Sequence, residues 1–119
     1  MSQISDQIEI VEVTIENAKA AIDLGKRAEN LFNNPDFNKI VNEGYLKNEA
    51  VRLTYLLNDP SMANHQDVVL DDLKAIAAFR RYMDYLVKYG RNMESELFSH
   101  QETLEELRVE DMESDDGRF

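Results

Sequence analysis

The chain is 119 residues long, with 24 acidic against 13 basic side chains and a formal net charge of −11. That length suits one domain, or one domain plus a tail, and the absence of cysteine excludes disulfide scaffolds, thiolate metal sites and cysteine nucleophiles. Four glycines, two prolines and 43% apolar residues make it too apolar for wholesale disorder and too poor in turn residues for a β-sandwich, while its acidity argues against broad binding to a phosphate backbone.

The first thirty residues carry a sustained repeat: Met1, Ile4, Ile8, Val11, Ile15, Ala18 and Ile22 follow at alternating steps of three and four. This is the a/d seam of a coiled coil. After Ile22 the same steps demand Gly25 and Glu29, so the seam is expected to degrade, with Leu24, Ala28, Leu31 and Phe32 shifting the stripe sideways. A helix of this length is ~45 Å long, more than a short hairpin can cover. Ile4, Ile8, Val11, Ile15 and Ile22 are therefore expected to form a homo-oligomer interface.

Asn33-Asn34-Pro35 ends that helix and starts another, with Asn34 as N-cap, Pro35 at the first helical position and Asp36 complementing the helix dipole. Phe37, Ile40 and Val41 form a short apolar stripe, and Gly44 reads as a kink or a C-cap. Leu46, Ala50, Leu53, Leu56 and Leu57 resume the helical period until Asn58-Asp59-Pro60 stops it. Two short helices, or one bent helix, are expected over residues 35–58.

Asn64 with Asp67 reads as the next cap. A second heptad register then runs through Val69, Asp72, Ile76, Phe79, Met83, Leu86, Gly90, Met93, Leu97, His100, Leu104 and Leu107, with Asp72, Gly90 and His100 as poor core residues. The helix runs through Tyr89 and on past Gly90, unless Ser99 with Glu102 caps a fresh one. Residues 102–119 hold eight acids against two bases, −6 of the total charge. From Glu110 the sequence offers almost nothing to bury, so residues 1–109 read as one helical domain and residues 110–119 as an acidic, disordered tail. The expected fold is all-α: an elongated bundle or antiparallel coiled coil of two long helices joined by a bent helical hairpin.

No apolar run approaches the ~20 residues of a membrane span, and MSQISDQIEI lacks the basic-then-apolar order of a signal peptide. A cytoplasmic protein is expected. The richest candidate surface lies between Phe79 and Arg91, where Tyr82, Tyr85 and Tyr89 share a helical face flanked by Arg81 and Lys88. Tyrosine and arginine combine large contact area with hydrogen-bonding tips and are enriched at interface hot spots. The same face could pack inside the bundle or stack single-stranded nucleic acid; Tyr82 is expected inward, Tyr85 and Tyr89 outward. Glu96 and His100 lie four apart on a helix, enough for a single metal contact, but Leu97 stands where a di-iron motif needs a glutamate. No phosphate loop, nucleophile motif or zinc motif is present. No enzyme activity, cofactor or metal is expected.

Two stretches, NPDFNKIVNEGYLKNEAVRLTYLLNDPSM from Asn34 to Met62 and DDLKAIAAFRRYMDYLVKYG from Asp71 to Gly90, resemble a family of small helical proteins encoded by tailed bacteriophages. The resemblance covers about half the chain and lies mostly in helix punctuation and aliphatic spacing. It implies a phage origin and a role in virion assembly, in the infected cell or in the virion, through contacts with itself and with other phage or host proteins. It supplies no catalytic or binding residues. An alternative of another class is a phage-encoded inhibitor that binds a host protein, its acidity imitating nucleic acid. A small terminase-like DNA-recognition subunit would need a basic helix-turn-helix, which is not found.

Overall fold

A computed structural model describes residues 3–116 in backbone and 3–114 in side chain, and among the described residues there is no strand. Helix α1 (Gln3–Phe32) is followed by the single turn α2 (Pro35–Phe37), a π-helical segment (Asn38–Glu49), helix α3 (Ala50–Leu57), a 3-10 segment (Pro60–His65) and the 51-residue helix α4 (Gln66–Asp116). The protein is all-α, with two long helices separated in sequence by shorter helical pieces. Contacts divide it into two units: Met1–Gly25 with Lys88–Phe119, and Lys26–Val87.

In the first unit α1 and α4 run antiparallel. Gly90 lies against Ala21 and Gly25, whereas Arg108, farther along α4, donates from Nη2 to Glu12 Oε1 at 3.3 Å, nearer the start of α1. The seam read from the sequence is the contact face. Ile15 and Ala18 are buried, while Ile4, Ile8, Val11 and Ile22 are half-buried. On α4, Met93, Leu97, His100, Leu104 and Leu107 are half-buried in the expected register. Of the residues expected to join a second copy, Ile15 is thus buried within the single chain, whereas Ile4, Ile8, Val11 and Ile22 keep part of their surface exposed. Burying a side chain such as Ile15 contributes ~1.5–3 kcal/mol.

The two glycines read as defects instead mark a close approach of the helices. Gly25 and Gly90 are both buried. A Cβ on Gly90 would stand 3.0 Å from the Ala21 carbonyl oxygen and 3.1 Å from the Gly25 Cα, both backbone atoms. Glycine allows that approach as it stands, whereas a Cβ would require the facing backbone to give by a few tenths of an ångström. Of the residues expected to shift the α1 stripe sideways after Ile22, Ala28 is buried and Phe32 half-buried, whereas Leu24 and Leu31 remain 49% and 44% exposed.

The second unit is built on Leu46, Leu53, Val69 and Ile76, against which Val41, Tyr45, Ala50, Leu57, Leu73 and Phe79 pack. Tyr45 and Phe79 meet edge-to-face with ring centroids 6.0 Å apart, as do Phe32 and Phe37 at 5.9 Å. Leu73 takes the place expected of Asp72, which is exposed, because a carboxylate pays heavily for burial while its neighbour is apolar. Asn34 caps α2 as expected, its Oδ1 accepting from the Asp36 and Phe37 amides at 3.0 Å each. Gly44 is neither kink nor C-cap. It lies inside the π-helix, where a Cβ would come 3.3 Å from the carbonyl oxygen of Lys39, five residues back.

The stop at Asn58-Asp59-Pro60 is one residue pair long, and Pro60 opens the 3-10 segment directly. Asn64, read as the cap of the last helix, sits within that segment, whose own cap is Asp59: its Oδ1 accepts from the Ser61 amide at 3.0 Å and the Ser61 hydroxyl at 2.8 Å. At the other end, α4 remains helical through Asp116. Residues 110–116, expected to be a disordered tail, thus have a helical backbone, to which the helix-forming Glu110, Met112 and Glu113 contribute. The remainder of the expected tail, residues 117–119, lies outside the described residues.

Two outcomes follow from this packing. Gly90→Ala gains ~1 kcal/mol of helix propensity but forces a methyl against two backbone atoms, at ~1–3 kcal/mol for overpacking. Its melting temperature should fall, and that of Gly90→Leu should fall further; an unchanged or raised melt for both would contradict the close approach. The second concerns Asp59, whose carboxyl is held below its ordinary value by the Ser61 side-chain and then backbone hydrogen bonds. A depressed folded value contributes stability that is present above the unfolded carboxyl range and lost as pH falls through the folded one. Wild type should therefore melt above Asp59→Ala at neutral pH, with the gap narrowing below about pH 4.

Candidate functional site

The five residues singled out as a partner surface all lie on α4 and all are exposed. Arg81, Tyr82 and Tyr85 belong to the second unit, Lys88 and Tyr89 to the first. Tyr82 is 57% exposed and Tyr85 55%, so the inward placement expected for Tyr82 is corrected. The seam positions around it, Phe79 and Met83, turn inward and leave Tyr82 on the outer side of the same turns. Within the second unit Tyr82 and Tyr85 accompany Arg81, and within the first Tyr89 accompanies Lys88; exposed tyrosines with cations nearby in sequence can supply contact area and hydrogen bonds at little cost in side-chain ordering.

Arg80, next to Arg81 on α4, has a distinct structural part. Its Nη2 donates to the Leu46 carbonyl oxygen at 2.7 Å, tying α4 to the π-helix within the second unit. An arginine at the edge of a heptad seam was the available signal, but its acceptor is a backbone oxygen 34 residues away. In the same unit, Arg52 forks onto Glu49, with Nη2 to Oε2 at 2.9 Å. That side-chain hydrogen bond, more than the charge itself, holds the Glu49 carboxyl below its ordinary range and the Arg52 guanidinium above its own. Tyr45, Glu49, Leu53, Asp72, Ala75 and Ile76 line a cleft of about 240 Å³ in the same unit.

Two further surfaces went unread in the sequence. On α3, Val51 and Tyr55 are 51% and 74% exposed and, with Ala50, Thr54 and Asn58, line a depression of about 390 Å³. On α4, Glu102, Glu105, Glu106, Glu110 and Glu113 surround Val109 in a groove of about 350 Å³. Helical spacing was the missing signal for the second: carboxylates at steps of three and four on one side of a helix are organised in a way that a tail is not.

Glu96 and His100 stand one turn apart, with Oε2 and Nε2 3.9 Å from each other. Among the described residues no group of three His, Cys, Asp or Glu side chains could hold a metal ion, and no helix is long and apolar enough to cross a membrane. Compared with protein-family models, curated proteins and solved structures, the chain matches none. The class defined by the fold is an all-α protein with an antiparallel pair of long helices.

Arg80→Met keeps the aliphatic stem but removes the donor to Leu46. It should lower stability by ~1 kcal/mol, the scale of a part-exposed hydrogen bond, and accelerate amide exchange across residues 46–50. Exchange unchanged there would remove Arg80 from any role in holding the π-helix.

Proposed function

We propose that this protein is a non-enzymatic helical component of a tailed phage, acting in virion assembly or as a minor structural or adaptor part through protein–protein contacts. The observation that carries this reading is the exposure of Arg81, Tyr82, Tyr85, Lys88 and Tyr89 on a long helix whose other side is committed to the fold. Aromatic and basic side chains at consecutive turns provide anchors for another protein, and the strongly acidic remainder of the chain disfavours nucleic acid at the same face. The phage origin rests on the resemblance of residues 34–62 and 71–90. The place of action is the cytoplasm of the infected bacterium, or the virion itself.

A second reading draws support from the acidic end of α4. A phage-encoded inhibitor that imitates nucleic acid needs carboxylates spaced over a rigid surface, and Glu102, Glu105, Glu106, Glu110 and Glu113 are carried on helix. The two readings use different residues and separate cleanly in experiment.

Capture of partners from infected cells, beside mass spectrometry of purified virions, tests the first reading. Tyr85→Ala or Arg81→Ala should weaken capture by ~2 kcal/mol, about thirtyfold, if these are anchors. As exposed positions they should move the melt by no more than ~0.5 kcal/mol. Capture insensitive to both substitutions but lost on Glu102→Gln with Glu105→Gln would favour the acidic inhibitor instead.

A further inference from the structure

The side of α4 turned away from α1 carries a second heptad register that the buried seam does not use. Lys88, Arg91, Ser95, Phe98, Glu102 and Glu105 follow at steps of three and four, continued by Val109 and Met112. All are exposed, Phe98 at 69%, Val109 at 48% and Met112 at 65%, and all lie in the first unit. Charge is sorted along this stripe: cations at its beginning, a large exposed ring in its middle, and carboxylates around an apolar floor at its far end.

We propose that this stripe is the interface of an antiparallel homodimer, in which two copies of α4 cross about a two-fold axis between Ser95 and Phe98. This goes beyond the partner surface proposed above, with which it shares only Lys88. The occupant follows from self-complementarity. Setting Lys88 opposite the partner's Glu105 also sets Arg91 opposite the partner's Glu102 and Ser95 opposite the partner's Phe98, and each pair occurs twice by symmetry. A parallel pairing would instead place Lys88 on Lys88 and Glu102 on Glu102, like charge on like charge, which is destabilising.

The local chemistry fits this alignment. The Ser95 hydroxyl is tied to the Asn92 carbonyl at 2.8 Å, so it presents a small surface for the opposing Phe98 ring. In this register Lys88 meets the near end of the groove, where Glu102, Glu105 and Glu106 stand beside Val109, so its aliphatic stem can lie on apolar surface while its charged head meets carboxylates. A chain of net charge −11 repels a second copy everywhere except where its few cations meet its carboxylates. The contact is therefore specific in register and sensitive to salt.

Sedimentation of the full chain tests this. At low ionic strength the wild type should be a dimer, and at 1 M salt, where the screening length is about 3 Å, a monomer. Lys88→Glu with Arg91→Glu, and separately Glu102→Lys with Glu105→Lys, should each give a folded monomer. An equimolar mixture of the two variants should restore the dimer, because every opposed pair is again of opposite sign; that rescue also shows both variants are folded. Tyr85→Ala should leave the dimer intact, which separates this interface from the tyrosine surface. A wild type monomeric at low ionic strength, a dimer indifferent to both reversals, or a mixture that stays monomeric would each overturn the proposal.

Discussion

Gly25 on α1 and Gly90 on α4 face each other so closely that a single added carbon would meet backbone, and this contact sets the distance and register of the antiparallel pair. Helices normally pack 8–10 Å apart according to the side chains between them; two opposed glycines allow a closer approach. With that crossing fixed, the helix period determines which residues meet on either side. Ile15 and Ala18 on α1, and Met93, Leu97, Leu104 and Leu107 on α4, fall into the seam, and Arg108 comes within reach of Glu12. The remaining faces of α4 are then released for other work.

The second unit solves a different problem. Its core of Leu46, Leu53, Val69 and Ile76 is small, and it is supported by aromatic edge contacts and by a guanidinium on a main-chain carbonyl. A twelve-residue π-helix has poorer internal hydrogen bonding than an α-helix, so it needs such outside support to persist. Gly44 and the Asn42-to-Asn38 side-chain hydrogen bond, 2.9 Å long, belong to the same arrangement.

Much of the helical framework was legible because it follows from short-range rules. The steps of three and four in α1 and α4, the Asn34 cap and the stop before Pro60 each depend on neighbours a few residues apart. What could not be read depends on contacts between distant segments. Gly25 and Gly90 look like gaps in a heptad seam until the opposing glycine is known, and Asp72 yields its place to Leu73 only because the core selects the apolar neighbour. Residues 110–116 looked like a tail because they have little to bury, yet helix formation there draws on propensity and on continuity with the preceding turns. Of the candidate site residues, Tyr85 and Tyr89 lie outward as expected, and Arg81 and Lys88 are exposed as well. Tyr82 lies outward too, against expectation, and of the five N-terminal seam residues only Ile15 is buried within the single chain.

A helix with one face committed to the fold and two patterned faces left over suits a protein whose work is contact, and those faces acquire their geometry from the glycine crossing. The chain has no cysteine, so nitroxide labels can be placed cleanly at Glu12→Cys and Arg108→Cys and the doubly labelled protein diluted with unlabelled chain. The antiparallel crossing predicts strong dipolar broadening between the two labels within one molecule; a spectrum equal to the sum of the two single-label spectra would contradict it.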